Sequence, residues 1–173
     1  MIDFSAYDPL GEDVGWPSSV SDDDAYAAGD AIRRECGWHI APSKTVTVGV
    51  EAGGGRILSL PSLHVTAVTS VLDSNGDAVT DFRLTQYSQL ELPRWQCWAY
   101  DEYTITMTHG FAETPRDVVA VIVDMARDYA SASATAGNVR QVSLDGASFS
   151  YSDAAGARRD ICSAYPQIGR YKL

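Results

Sequence analysis

The stretch 102-EYTITMTHGFAETPRDVVAVIVDMARDY-129 decides the fold class. Its first half alternates. Tyr103, Ile105 and Met107 fall on one side, and Thr104, Thr106 and Thr108 on the other, the period-two pattern of a strand with one buried face. His109 and Gly110 then mark a strand-to-loop corner. Thr114 is placed to cap a helix, Pro115 to open it, and Asp117 follows three residues after the cap, a variant of the capping box. Val118, Ile122, Met125 and Tyr129 recur at helical spacing, widened by Val119, Val121 and Ala126. That face is broad enough for a core helix, which Gly137 and Asn138 end. A half-polar strand running directly into a core helix fits an α+β fold.

Upstream of this stretch the pattern is β-rich. Val46, Val48 and Val50 alternate with Thr45, Thr47 and Gly49. Gly53, Gly54 and Gly55 are expected as a tight hairpin turn before a short strand from Arg56 to Leu60, ended by Pro61. His64 to Asp73 reads as a strand, Ser74-Asn75-Gly76-Asp77 as a turn, and Val79 to Tyr87 as the returning strand. Gln89 to Leu92 is a short strand, and Pro93, Trp95 and Trp98 mark an aromatic loop.

A first helix precedes these strands. Ser21 is its N-cap, and Asp22, Asp23 and Asp24 place negative charge where the helix dipole favours it. Ala25, Ala28, Ile32 and Cys36 form a thin, alanine-rich stripe suited to close packing on another helix, and Gly37 is the stop. After the core helix, Val139 to Leu144 and Ala147 to Ser152 flank Asp145-Gly146 as a hairpin with a type I′ turn. Ala154 to Tyr165 is expected as a short helix stopped by Pro166. Both ends read as extended arms. Phe4, Tyr7 and Trp16 are the apolar anchors of the first, and Arg170, Tyr171 and Lys172 make the last a basic, aromatic patch.

The 173 residues suffice for one domain with extended ends, and the hydrophobic share of 45% supplies a real core. A net charge of −10 argues against wrapping nucleic acid, which requires clustered Lys and Arg. It does not exclude lining a channel through which DNA slides, although simple solubility is the favoured reading. The first ten residues hold Asp3 and Asp8 without a basic segment, so no signal peptide is expected, and no apolar run approaches a membrane span.

Each candidate chemical motif has a mundane structural explanation. Cys36, Cys97 and Cys162 lie far apart with no CxxC pair, which removes a zinc ribbon or redox motif. His39, His64 and His109 form no metal-ligand spacing, and His109 is better read as a loop histidine bonded to backbone than as a general base. The Gly53-Gly54-Gly55-Arg56 run leads into a strand, whereas a phosphate cradle needs a helix directly after it. Asp22, Asp23 and Asp24 are contiguous, unlike the alternating ligands of a calcium loop. No GxSxG elbow surrounds Ser143 or Ser148. Trp95, Trp98 and Tyr100 suit an interface cluster, or alternatively a stacking site for a sugar or base. No cofactor, metal or catalytic residue is expected, and the chain is expected to be structural.

Several strings, in order, resemble the head–tail connector (adaptor) family of tailed phages, especially those of actinobacteria. The first helix runs from Ser21-Asp22-Asp23-Asp24 through Ile32 to Gly37-Trp38. The β segment Arg56-Ile57-Leu58-Ser59-Leu60-Pro61 precedes the valine-rich Val65 to Val71. His109-Gly110-Phe111 leads to Pro115, and Gly146-Ala147-Ser148-Phe149-Ser150-Tyr151 follows late. The Trp95 to Trp98 stretch departs from the family pattern, and the amino-terminal arm has no counterpart. The resemblance spans about residues 20–152.

The resemblance implies a small helical bundle of two main helices and a short C-terminal helix, an inserted antiparallel β domain and terminal arms. The corresponding division is an arm at 1–19, a connector domain at 20–153 with its β insertion at about 44–108, and a C-terminal helix and tail at 154–173. It implies a homo-oligomeric ring, commonly twelve-fold, beneath the portal protein in the virion neck. Such a ring extends the channel for double-stranded DNA without reading its sequence, and docks a stopper or tail-completion protein. No membrane is involved, and assembly occurs in the host cytoplasm. The C-terminal segment would reach the portal, here through Arg170, Tyr171, Lys172 and Leu173. Trp95, Trp98 and Tyr100 would serve a subunit or stopper contact. The alternatives are another neck component, or a carbohydrate- or ligand-binding β module using the Trp95 and Trp98 loop.

Overall fold

The computed structural model describes residues 10–11, 15–135, 141–144, 147–150 and 161–173. The fold is α+β, with two layers that each enclose their own core. Helix α1 spans Asp22–Cys36. Ser21 caps it by accepting from the Asp24 backbone N–H, and Gly37 closes it in the left-handed conformation at φ 80. Helix α2 spans Arg116–Thr135. Its first turn closes with Val119 N–H donating to the Pro115 carbonyl, so the helix opens one residue later than the cap pattern suggested.

The thin stripe of α1 finds its partner within the chain. Ala25, Ala28, Ile32 and Cys36 pack on Val118, Val121, Ile122, Met125 and Ala126 of α2 in one buried cluster. Gly29 admits Leu10 onto α1, where a Cβ would lie 3.1 Å from the Leu10 Cβ. Tyr129, expected in the α2 stripe, is 36% exposed, and Ala126 is the last buried residue of α2 among those described.

The β layer comprises two three-stranded antiparallel sheets. The larger has the order β1-β6-β3, with β1 at Lys44–Glu51, β3 at Val65–Leu72 and β6 at Glu102–His109. The smaller has the order β2-β5-β4, with β2 at Ile57–Ser59, β4 at Arg83–Leu84 and β5 at Gln89–Glu91. Tyr103, Ile105 and Met107 of β6 face inward beside Leu58, Leu60, Val71, Leu90, Leu92 and Trp98. Ser88 ties the sheets together: its Oγ accepts from Val65 N–H at 2.9 Å and its carbonyl from Leu60 N–H at 3.3 Å.

This topology corrects several expectations. The Gly53-Gly54-Gly55 run is a crossover between sheets, not a hairpin, since β1 pairs with β6 and β2 with β5. The Asp73 carboxylate shapes the following turn by accepting from Asn75 and Asp77 backbone N–H groups. The return from that turn contributes only a Leu72–Ala78 bridge and the short β4, because its residues mostly connect the sheets. Of the helix expected from Ala154 to Tyr165, α3 spans Ile161–Ala164, and after it Pro166 begins a 3-10 turn through Tyr171 where an extended tail was expected.

A separate hairpin pairs β7 (Gln141–Leu144) with β8 (Ala147–Ser150). Its expected type I′ turn, the Gly137-Asn138 stop, the anchors Phe4 and Tyr7, and residues 151–160 lie outside the described residues. Among the described residues, no helix is long and apolar enough to cross a membrane.

Candidate interaction surfaces

The C-terminal segment is not a free arm. Ile168 is fully buried and Tyr171 nearly so, both in the helical core. The Tyr171 hydroxyl donates to Asp117 at 3.0 Å, and Arg170 pairs with the same carboxylate. Burial and the adjacent Asp117 carboxylate push the Tyr171 hydroxyl up to about 12. Trp38 Nε1 donates to the Tyr171 carbonyl, Lys172 pairs with Glu35 at 2.6 Å, and Leu173 N–H donates to the Cys36 carbonyl at 3.0 Å. Asp117 therefore receives the tail. The surface that remains open comprises Arg170, Lys172 and Leu173, with Leu173 54% exposed.

The aromatic loop splits into a core half and a surface half. Trp98 is 2% exposed, donates from Nε1 to the Arg56 carbonyl at 3.1 Å, and packs edge-on against Tyr103 at 5.0 Å. It anchors the loop and is absent from the surface. Trp95 and Tyr100 are 82% and 86% exposed. Tyr100 lies over Gly54, where a Cβ would meet its ring at 2.4 Å and where φ is +80. The glycine run thus serves the approach of this ring, a requirement the sequence pattern does not announce.

The three histidines gather where helical and β layers meet. The His39 and His109 rings are 5.4 Å apart, and His64 stacks on Phe111 at 4.3 Å. His39 Nε2 bonds the Pro42 carbonyl, Phe111 N–H donates to the Ile40 carbonyl, and Gly110 N–H donates to the His64 carbonyl. Burial lowers both His39 and His109 to about 4, so both rings are neutral at pH 7. This neutral imidazole pair, with His39 bonded to the Pro42 carbonyl, sits at the junction of the layers. Nearby Arg33 is likewise buried and donates to the Ala41 carbonyl. Among the described residues, no group of three or more His, Cys, Asp or Glu is placed to hold a metal.

The sequence missed the latch between tail and Asp117, and its signal was slight: one acidic residue in a helix first turn and one aromatic near the end. The outer face of the larger sheet was partly visible. Thr45 pairs with Thr108 and Thr47 with Thr106, with hydroxyl contacts of 2.8 and 2.9 Å, giving an exposed hydroxyl-rich surface.

No family model matches the chain, and no curated protein matches its sequence. Among solved structures, it is similar to a chain in the structure described as the virion of a native gene transfer agent particle. The likeness has a TM-score of 0.53 at 18% identity, and covers 87% of this chain and 75% of that one. The α+β fold described above is one that also occurs in that virion particle.

Proposed function

We propose that the chain is a non-enzymatic structural protein of a virion, and specifically a head-to-tail adaptor that forms a ring under the portal. The observation that carries this is the fold shared with a chain of a gene transfer agent virion over most of its length. The ordered strings around Leu60-Pro61 and His109 to Pro115 support the finer assignment to the adaptor position.

The surfaces suit such a role. The tail is fixed in place by Ile168 and Tyr171, and this presents Arg170, Lys172 and Leu173 at a defined position for a portal contact. Trp95 and Tyr100 stand out on a loop held by buried Trp98, an arrangement suited to a subunit or stopper contact. The net charge of −10 keeps a DNA channel from gripping its cargo.

Placement as a stopper or tail-completion protein is the nearest alternative and uses the same surfaces. A carbohydrate-binding module is less favoured, since burial of Trp98 leaves a single exposed tryptophan on the loop. Binding to purified portal, imaged by negative-stain microscopy, tests the adaptor assignment: rings on the portal support it, and a chain that docks only below an existing adaptor favours the stopper.

A further inference from the structure

The two edges of the larger sheet are unlike. The β3 edge carries register shifts between Val65 and Ala67 and between Val68 and Ser70, irregularities that protect an edge from pairing. The β1 edge has none. It runs in continuous register with β6 from Lys44 to Glu51, has its only charges at those two ends, and contains no proline. Among the described residues its outer side pairs with no strand. Val46, Val48 and Val50 on its inner side are only half-buried, so a further strand would extend both the ladder and the cover over this row.

The hairpin β7–β8 presents the complementary problem. Among the described residues it pairs only with itself, and a lone two-stranded hairpin is marginal in water. Its register matches Val142 with Phe149 and Leu144 with Ala147, apolar with apolar, and Gln141 with Ser150 and Ser143 with Ser148, polar with polar. Among the described side chains of α2, Ala126 is the last in the core, Arg127, Asp128, Tyr129 and Ser131 are exposed, and the helix continues to Thr135. At about 1.5 Å per residue, α2 runs about 13 Å past Ala126 before the chain turns to the hairpin.

We propose that the hairpin Gln141–Ser150 of one subunit pairs with the β1 edge of the next, adding its strands to the neighbour's sheet. The contact joins two different surfaces, so it is heterologous and propagates around a closed ring. The inference rests on the ring reading above and adds the surfaces that make it.

The test uses the full chain with Thr47, an exposed β1 residue, replaced by the photo-crosslinker p-benzoylphenylalanine. Light- and heavy-isotope preparations are mixed, assembled with portal, irradiated and digested. The expected products join the β1 peptide to a peptide from 141–150, with mixed-isotope pairs in the proportion that random mixing dictates. A second variant, with 141–150 exchanged for a Gly-Ser linker, should keep its thermal midpoint and lose ring formation. Rings that form while Thr47 crosslinks elsewhere, or only within its own chain, overturn this proposal and leave the ring reading standing. A failure of the parent chain to form any ring overturns both.

Discussion

The Tyr171 hydroxyl donates to the Asp117 carboxylate at 3.0 Å, joining the end of the chain to the first turn of α2. Asp117 was legible as a helix-start residue and Tyr171 as a tail aromatic, but the two are 54 positions apart, and nothing local pairs them.

This latch makes the tail part of the stability of the fold. Ile168→Ala should cost ~2–5 kcal/mol from lost burial and the cavity left behind. Tyr171→Phe should cost ~1.5–3 kcal/mol, the range for a hydrogen bond to a charged group. Urea unfolding of both variants measures this. Removal of 167–173 should unfold or severely destabilise the protein; a truncated chain with an unchanged midpoint would show the latch to be dispensable.

The aromatic loop predicts a separation between two tryptophans. Trp98→Ala should lose ~3–5 kcal/mol, because it empties a core position. Trp95→Ala should change stability by less than ~0.5 kcal/mol and yet weaken assembly, since its ring is exposed. Equal effects on stability from the two substitutions would contradict the split.

Acid should weaken the layer junction. His39 and His109 sit at about 4 in the fold, below the ordinary value of 6.5, so the unfolded chain binds the extra protons first. Their contribution is fully present above 6.5 and is lost as pH falls from there to about 4. Denaturation midpoints across that window should decline, and a His39→Gln, His109→Gln variant should show a shallower decline. A slope unchanged by the double substitution would place the acid sensitivity elsewhere.

The cysteines should react in a fixed order. Cys97 is exposed, whereas burial pushes the Cys36 thiol up to about 12. A thiol reagent applied to the native protein should label Cys97 readily and leave Cys36 untouched until unfolding. Mass spectrometry of the labelled peptides reads the order directly.

Elements whose signal is local were well read. Ser21 with three aspartates gave α1, and the Tyr103, Ile105, Met107 alternation gave β6. The long stripe from Val118 to Ala126 gave α2. What failed depended on partners distant in sequence. The glycine run looked like a hairpin because flanking strands are usually neighbours, yet here they enter different sheets and Gly54 makes room for Tyr100. Trp98 and Trp95 have the same local neighbourhood, and only the packing of Trp98 against Tyr103 and its bond to Arg56 distinguish core from surface.

Assembly with the portal is the property that most directly distinguishes an adaptor. Purified full-length chain mixed with portal and viewed by negative-stain microscopy should give a ring of density added coaxially to the portal. A chain that stays monomeric and leaves the portal bare under the same conditions would contradict the adaptor assignment.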